Sequence, residues 1–179
     1  MKGASRLDAI VAAFIGLVAL AVSGYTAYIQ KQQVRAQVWP YLETSSDNMP
    51  LRLIVTNRGV GPAIVKDVAV TVDGQPVTNW KDLLDRIAKQ HNHFYSTIHR
   101  RVVSAGERVD VLQPHDDKGK DVFASDPKGS FGDLLNQALP RIDMRICYCS
   151  TLEDCWTVDD AGTRATRVCP APSATSFRE

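Results

Sequence analysis

The chain has 179 residues, with 21 lysines and arginines against 20 aspartates and glutamates, four histidines and four cysteines. Setting aside an apolar stretch near its start leaves about 140 residues, enough for one domain with a real hydrophobic core; removing Lys2, Arg6 and Asp8 with that stretch leaves 19 basic side chains against 19 acidic ones. This balance excludes the basic surplus that nucleic-acid binding through phosphate neutralisation requires, and no low-complexity tract or internal repeat is visible.

Residues 1 to 8 form a short polar N-terminus, expected to be cytoplasmic. Ala9 to Ile29, AIVAAFIGLVALAVSGYTAYI, then run for 21 positions without a charge. At 1.5 Å per residue a helix of that length crosses a hydrocarbon layer of about 30 Å, so residues 9 to 29 predict a transmembrane helix. Tyr25 and Tyr28 lie near its C-terminal end, where amphipathic rings favour the headgroup region, and Trp39 and Tyr41 follow. A cleaved signal peptide is the rival reading, since Ala21-Val22-Ser23 resembles a processing site. The apolar character continues past that site, however, and Asp8 is out of place in a positively charged leader. With no cysteine near the span, a lipoprotein anchor is excluded. Lys2 and Arg6 on one side nearly cancel Lys31 and Arg35 on the other. The amino terminus and the even number of cysteines both favour a cytoplasmic N-terminus with the remaining chain on the oxidising side.

Within the span, Ala9, Ala12, Gly16, Ala19, Ser23 and Thr26 follow a 3-4-3-4-3 spacing. Such a seam of small residues lets another transmembrane helix approach closely. Composition alone also produces such stripes, since ten of the 21 positions are small.

Residues 30 to 37 are polar and read as a juxtamembrane helix or linker; Pro40 then favours an extended path at Trp39. A folded domain is expected over residues 38 to 160. VWPYLETSS, residues 38 to 46, predicts its first strand and Asp47-Asn48-Met49-Pro50 a turn. Leu51, Leu53 and Val55 then alternate with Arg52 and Thr56, a pattern that Ile54 disturbs. Asn57 to Pro62 concentrates residues that permit unusual backbone angles. AIVKDVAVTV follows, with Val68, Val70 and Val72 on one face, and Asp73-Gly74 closes a hairpin.

The stretch LIVTNRGVGPAIVKDVAVTVDGQP, residues 53 to 76, resembles the second and third strands of immunoglobulin-like or fibronectin-like domains that stand behind single membrane anchors in uncharacterised bacterial envelope proteins. The resemblance covers these 24 residues. It implies a mainly β fold: an N-terminal transmembrane helix followed by an immunoglobulin-like β-sandwich, here with one or two short inserted helices. It brings no catalytic residues to carry over. The short uncleaved anchor suggests a bacterial source, for which the expected placement is the inner membrane with the domain in the periplasm.

Asn79 caps a predicted helix in which Trp80, Leu83, Leu84, Ile87 and Ala88 share one face. A strand is expected from Phe94 to Val103, then a turn at Ser104 to Glu107 and a strand through Val109, Val111 and Leu112. DDKGKD, residues 116 to 121, reads as a solvated loop without the carboxylate spacing of an EF-hand. Ser130 with Asp133 predicts a capped short helix carrying Phe131, Leu134, Leu135 and Leu139.

From Ile142 to Cys149 the residues alternate: Ile142, Met144, Ile146 and Tyr148 face one side, Asp143, Arg145, Cys147 and Cys149 the other. If STLED forms the loop of a hairpin, Cys149 faces Cys155, and Tyr148 and Trp156 pair on the apolar face. Four cysteines allow three pairings. The hairpin reading favours Cys149 with Cys155 and Cys147 with Cys169, the second tying back a C-terminal tail over residues 161 to 179. Zinc is the alternative, but C-x-C-x5-C-x13-C lacks the paired C-x2-C knuckles of common structural sites. A catalytic disulfide would want C-x-x-C.

HNHFYSTIHRR, residues 91 to 101, offers His91, His93 and His99 as transition-metal ligands, with His99 sharing their face only on a continuously extended backbone. No nucleophile elbow, phosphate loop, zinc-protease helix or dinucleotide fingerprint is present. The expected role is therefore that of a noncatalytic, membrane-anchored periplasmic interaction module. It would be an accessory subunit of a larger integral-membrane complex of the respiratory, photosynthetic, transport or secretion type. Expected partners are that complex and the lipid bilayer, with no cofactor, metal, nucleic acid or identified small-molecule substrate. A ligand or metal sensor using residues 91 to 101 is the alternative, and an envelope enzyme a weaker third.

Overall fold

A computed structural model of the full chain describes residues 4–88, 93–116, 118–173 and 176–178. The chain divides into two compact units, Met1–Gln37 and Val38–Glu179.

The first unit is one helix, α1 (Ala4–Gln37), of 34 residues, about 51 Å long at 1.5 Å per residue. It runs through both the uncharged stretch and the polar residues 30 to 37 without a break, since no proline interrupts it before Pro40. By length and composition it is able to cross a membrane, and its apolar window is exposed throughout.

The second unit is mainly β, with two antiparallel sheets around one hydrophobic core. Its strands are β1 (Leu42–Asn48), β2 (Leu51–Asn57), β3 (Ala63–Val72), β4 (Gln75–Val77), β5 (His93–Phe94), β6 (Val102–Val103), β7 (Arg108–Pro114), β8 (Ile142–Cys149), β9 (Cys155–Asp159) and β10 (Gly162–Thr166). The four-stranded sheet has the order β1-β2-β7-β5; the other has the order β10-β9-β8-β3-β4, with β6 also paired to β3. Among the described residues, the helices α2 (Trp80–Ala88) and α3 (Phe131–Ala138), the latter followed by a 3-10 turn at Leu139–Arg141, interrupt the strands.

The first strand begins later than its sequence suggests, at Leu42, because residues 38 to 41 are held by the following loop. Trp39 O accepts from Val60 N and Gly61 N, and Tyr41 O from Arg58 N. The close approach requires glycine: a Cβ at Gly59 would collide with the backbone of Trp39 and Tyr41, and one at Gly61 with that of Val38. Fully buried Asn57 stitches the junction. Its Nδ2 donates to Gly61 O (2.8 Å) and Val103 O (2.9 Å), while its Oδ1 accepts from Gly59 N (2.9 Å) and Tyr41 N (3.2 Å).

Ile54, which breaks the alternation of β2, is buried beside Val55. The pairing of β2 with β7 slips between Leu53 and Ile54, so that Leu53 faces Leu112 but Ile54 faces Asp110. An extra residue on β7 locally changes which side chains face inward, and Val111 and Leu112 are buried in succession. Asp73 (φ 52°) and Gly74 (φ 73°) form the two-residue turn joining β3 to β4, as the asparate-glycine pair favours. Asn79 Oδ1 caps α2 by accepting from Asp82 N (2.8 Å), and Trp80, Leu83 and Leu84 are buried. Ser130 Oγ accepts from Asp133 N at the start of α3; Leu135 and Ala138 are buried there, while Leu134 is about a third exposed (37%).

Two expectations require correction. Phe94 to Val103 is not one strand: β5 and β6 occupy only its ends. Ile98 turns fully into the core and its carbonyl accepts from Arg101 N, while Arg100 takes a left-handed backbone (φ 57°), so the chain bends back instead of continuing extended. Nor is residues 161 to 179 a plain tail. It supplies β10, and Phe177 is fully buried, its ring 4.6 Å from that of Trp80 in an edge-on contact. Phe177 N donates to Val68 O and Arg178 N to Thr78 O, so apolar burial and backbone pairing hold this end together.

Candidate functional site: the paired disulfides

The β8–β9 hairpin sets the positions of three cysteines. Its register places Cys149 opposite Cys155, Tyr148 opposite Trp156 and Cys147 opposite Thr157. Alternation sends Tyr148 inward, where it is fully buried with its ring stacked 5.9 Å from that of Trp156. Its hydroxyl accepts from Leu42 N (3.2 Å), linking the two sheets, and burial raises its pKa. The cysteines go to the other face. Cys149 is bonded to Cys155, and Cys147 to Cys169 of the segment following β10.

The two bridges touch. Cys149 Sγ lies 3.9 Å from Cys169 Sγ, and the sulfurs of Cys149, Cys155 and Cys169 all lie within 4.8 Å of one another. Bonded sulfur carries no thiolate, the form that ligates zinc, so the cluster in this state consists of two covalent staples. Thr157 Oγ1 donates to Cys147 Sγ at 3.6 Å.

A cavity of about 740 Å³ opens over this cluster, with Cys149, Cys155 and Cys169 in its wall. Lys66, Arg100 and Arg167 also line it, against one carboxylate, Glu153. The bend before β6 brings Arg100 there: Arg101 O accepts from Val65 N, and Arg101 Nη2 pairs with Glu107 at 2.7 Å. Glu107 also accepts from Ser104 N (2.7 Å), and these bonds hold its carboxyl below the usual range, the Ser104 amide contributing most. A second cavity of about 540 Å³ adjoins Cys147 and includes Asp67, Arg145 and Arg164. Asp67 is buried at the β3 irregularity, with one carboxylate oxygen lacking a hydrogen bond.

The histidine-rich segment does not assemble as a continuous strand would require. His91 lies outside the described residues. His93 is in β5 with its ring 5.7 Å from that of Tyr95, and His99 lies within the turn that Arg101 N closes on Ile98 O. Among the described residues, neither belongs to a set of three converging metal-ligating atoms. The fold instead brings forward His115, which sequence reasoning missed. Its Nε2 is 3.3 Å from Asp121 Oδ1 and its ring packs edge-on against Phe94. His115 lies just past β7 in an isolated bridge with Asp121, and no local periodicity marked it, because Pro114 and His115 are buried in succession.

The seam residues Ala9, Ala12, Gly16, Ala19, Ser23 and Thr26 are all exposed on α1. A Cβ at Gly16 would meet nothing within 4 Å. Thr26 Oγ1 donates back to Val22 O (2.9 Å), which satisfies its hydroxyl within the helix.

No family model, curated protein or solved structure matches the chain.

Proposed function

We propose that the chain is a noncatalytic, single-pass membrane-anchored interaction module, an accessory subunit of a larger integral-membrane complex. In this reading the N-terminus is cytoplasmic and the β-rich unit lies in the periplasm of a bacterial cell. The observation that carries it is α1: an exposed helix of membrane-spanning length with a seam of small residues along one side. In a bilayer, where lipid tails are as apolar as leucine, such a seam gains close van der Waals packing from a second helix. Two disulfides support an oxidising compartment for the folded unit.

Strand order supports an immunoglobulin-like arrangement. The neighbours β1-β2-β7 on one sheet and β9-β8-β3-β4 on the other follow the ABE and GFCC′ orders of such domains, with β2 passing to β3 across the core. The domain would then present loops and the sulfur-bearing sheet face to a partner while the span fixes its location.

The test is purification of the full chain from its native membrane in mild detergent, comparing the wild type with Gly16→Leu and with Leu17→Ala off the seam. Stoichiometric membrane proteins should accompany the wild type and Leu17→Ala but be lost with Gly16→Leu. Recovery of all three as the isolated chain overturns the proposal. Protease added from the periplasmic side should digest the β-rich unit; protection there and digestion in inverted vesicles would overturn the orientation.

A further inference from the structure

The two bridges are close enough to exchange partners. We propose that they form a thiol–disulfide exchange relay acting on a dithiol, independently of the membrane role. The 3.9 Å approach of Cys149 Sγ to Cys169 Sγ is non-bonded sulfur contact, so a thiolate generated at Cys149 starts beside the second bridge. Exchange proceeds by attack of a thiolate on a disulfide sulfur, and the missing requirement is the first thiolate.

The cavity admits the reagent that supplies it. Cys169 is partly buried there, and Cys155 and Cys149, both mostly covered, also line the wall. One thiolate of an incoming dithiol attacks Cys155 Sγ. A mixed disulfide forms at Cys155, the Cys149–Cys155 bond breaks, and its electron pair leaves on Cys149. The Cys149 thiolate then attacks Cys169 Sγ, forming Cys149–Cys169 and expelling Cys147 as a thiolate that takes up a proton. The second thiol of the dithiol, losing its proton, attacks the dithiol sulfur of the mixed disulfide; the bond to Cys155 breaks, and Cys155 leaves as a thiolate that takes up a proton. Two electrons have passed to the protein, the dithiol has closed to its cyclic disulfide, and Cys147 and Cys155 are thiols.

The surroundings favour each end of the transfer. Lys66, Arg100 and Arg167 line the cavity with no acidic ion-pair partner among the described residues, and nearby cations stabilise a thiolate. Thr157 Oγ1 already donates to Cys147 Sγ, the leaving atom. Arg100 (φ 57°) and Glu153 (φ 62°) both hold left-handed backbones in the cavity wall, a conformation that costs non-glycine residues energy and recurs at functional sites. The product moves the tether of the C-terminal segment two positions along β8, about 7 Å at strand spacing, toward the loop at residues 150 to 154.

Partial reduction of the full-length protein in detergent at pH 8 with substoichiometric dithiothreitol tests the relay. After acid quench and N-ethylmaleimide labelling, tandem mass spectrometry should locate label on Cys147 and Cys155 in the two-thiol species, with Cys149–Cys169 bonded. Label on Cys149 and Cys155, with Cys147–Cys169 intact, overturns it. Cys155→Ser supplies a free Cys149 without any reductant, and a detectable population of that variant should carry Cys149–Cys169 at equilibrium. Persistence of Cys147–Cys169 alone in folded Cys155→Ser would also overturn it; if that variant does not fold, wild-type partial reduction decides.

Discussion

Replacing Asn57 with alanine is expected to destabilise the β-rich unit by about 4 kcal/mol, although the residue touches neither bridge nor cavity. Its amide makes four hydrogen bonds from a fully buried position. Alanine would strip the Nδ2 donors from Gly61 O and Val103 O, both in buried bonds. Each carbonyl that loses this bond costs about 1.5 kcal/mol, toward the lower end of the range for an unsatisfied buried group. The amides of Tyr41 and Gly59 lose their acceptor in less buried bonds that water reaches more readily, adding about 0.5 kcal/mol each. The sum is a large part of a typical domain stability of about 5–15 kcal/mol. Taking a urea slope of about 2 kcal/mol per molar, the unfolding midpoint should fall by about 2 M. Urea titration of the full chain in detergent, followed by tryptophan fluorescence, measures the shift. Asn57→Asp retains an acceptor but turns a carboxylate toward two carbonyl oxygens, so it should do no better than alanine. A midpoint change below about 0.5 M for Asn57→Ala would refute the inference that the junction depends on this amide.

Phe177→Ala should cost about 3–5 kcal/mol in the same titration by emptying the site against Trp80, whereas truncating exposed Val168 should have little effect. Gly61→Ala should destabilise by more than the glycine-to-alanine entropy gain of about 1 kcal/mol, because its Cβ meets the Val38 backbone; equal or higher thermal stability would contradict that contact. The lowered pKa of Glu107 gives stability that is present above the ordinary carboxylate value of the unfolded chain and is lost as pH falls through the lower folded value. Thermal melts of Glu107→Gln should therefore fall less steeply with acidification than those of the wild type, and parallel curves would refute the clasp. Removing the Cys147–Cys169 bridge as a double serine variant should cost about 3 kcal/mol on loop-closure grounds for a separation of 22 residues, measured by urea titration under non-reducing conditions.

Where the chemistry was periodic, the chain was readable. The uncharged run, the alternation from Ile142 to Cys149 and the caps at Asn79 and Ser130 each follow from local rules about spacing and backbone donors. The hairpin register follows as well, because alternation and a five-residue loop together place Cys149 opposite Cys155. What failed was non-local. Nothing near Ile98 announces that it turns into the core, and the resulting bend separates His93 from His99. Asn57 looks like an ordinary turn residue until the fold brings Val103 beside it. Phe177 sits in a polar, proline-containing stretch, and only the groove beside Trp80 makes it part of the core. The meeting of two bridges was illegible for a similar reason: the sulfur faces follow from alternation, but the 3.9 Å contact depends on the path of the segment beyond β10.

The glycine-lined junction at Val38 also determines how the folded unit takes mechanical load. Tension drawn through α1 enters at residues 38 to 41, whose carbonyls are bound to the Arg58–Gly61 loop. That pull acts on the seven-residue pairing of β1 with β2 and on the Asn57 clasp, while the stapled hairpin lies in the other sheet. A pull through α1 is thus resisted first by hydrogen bonds that can re-form, with the covalent links kept out of the line of force.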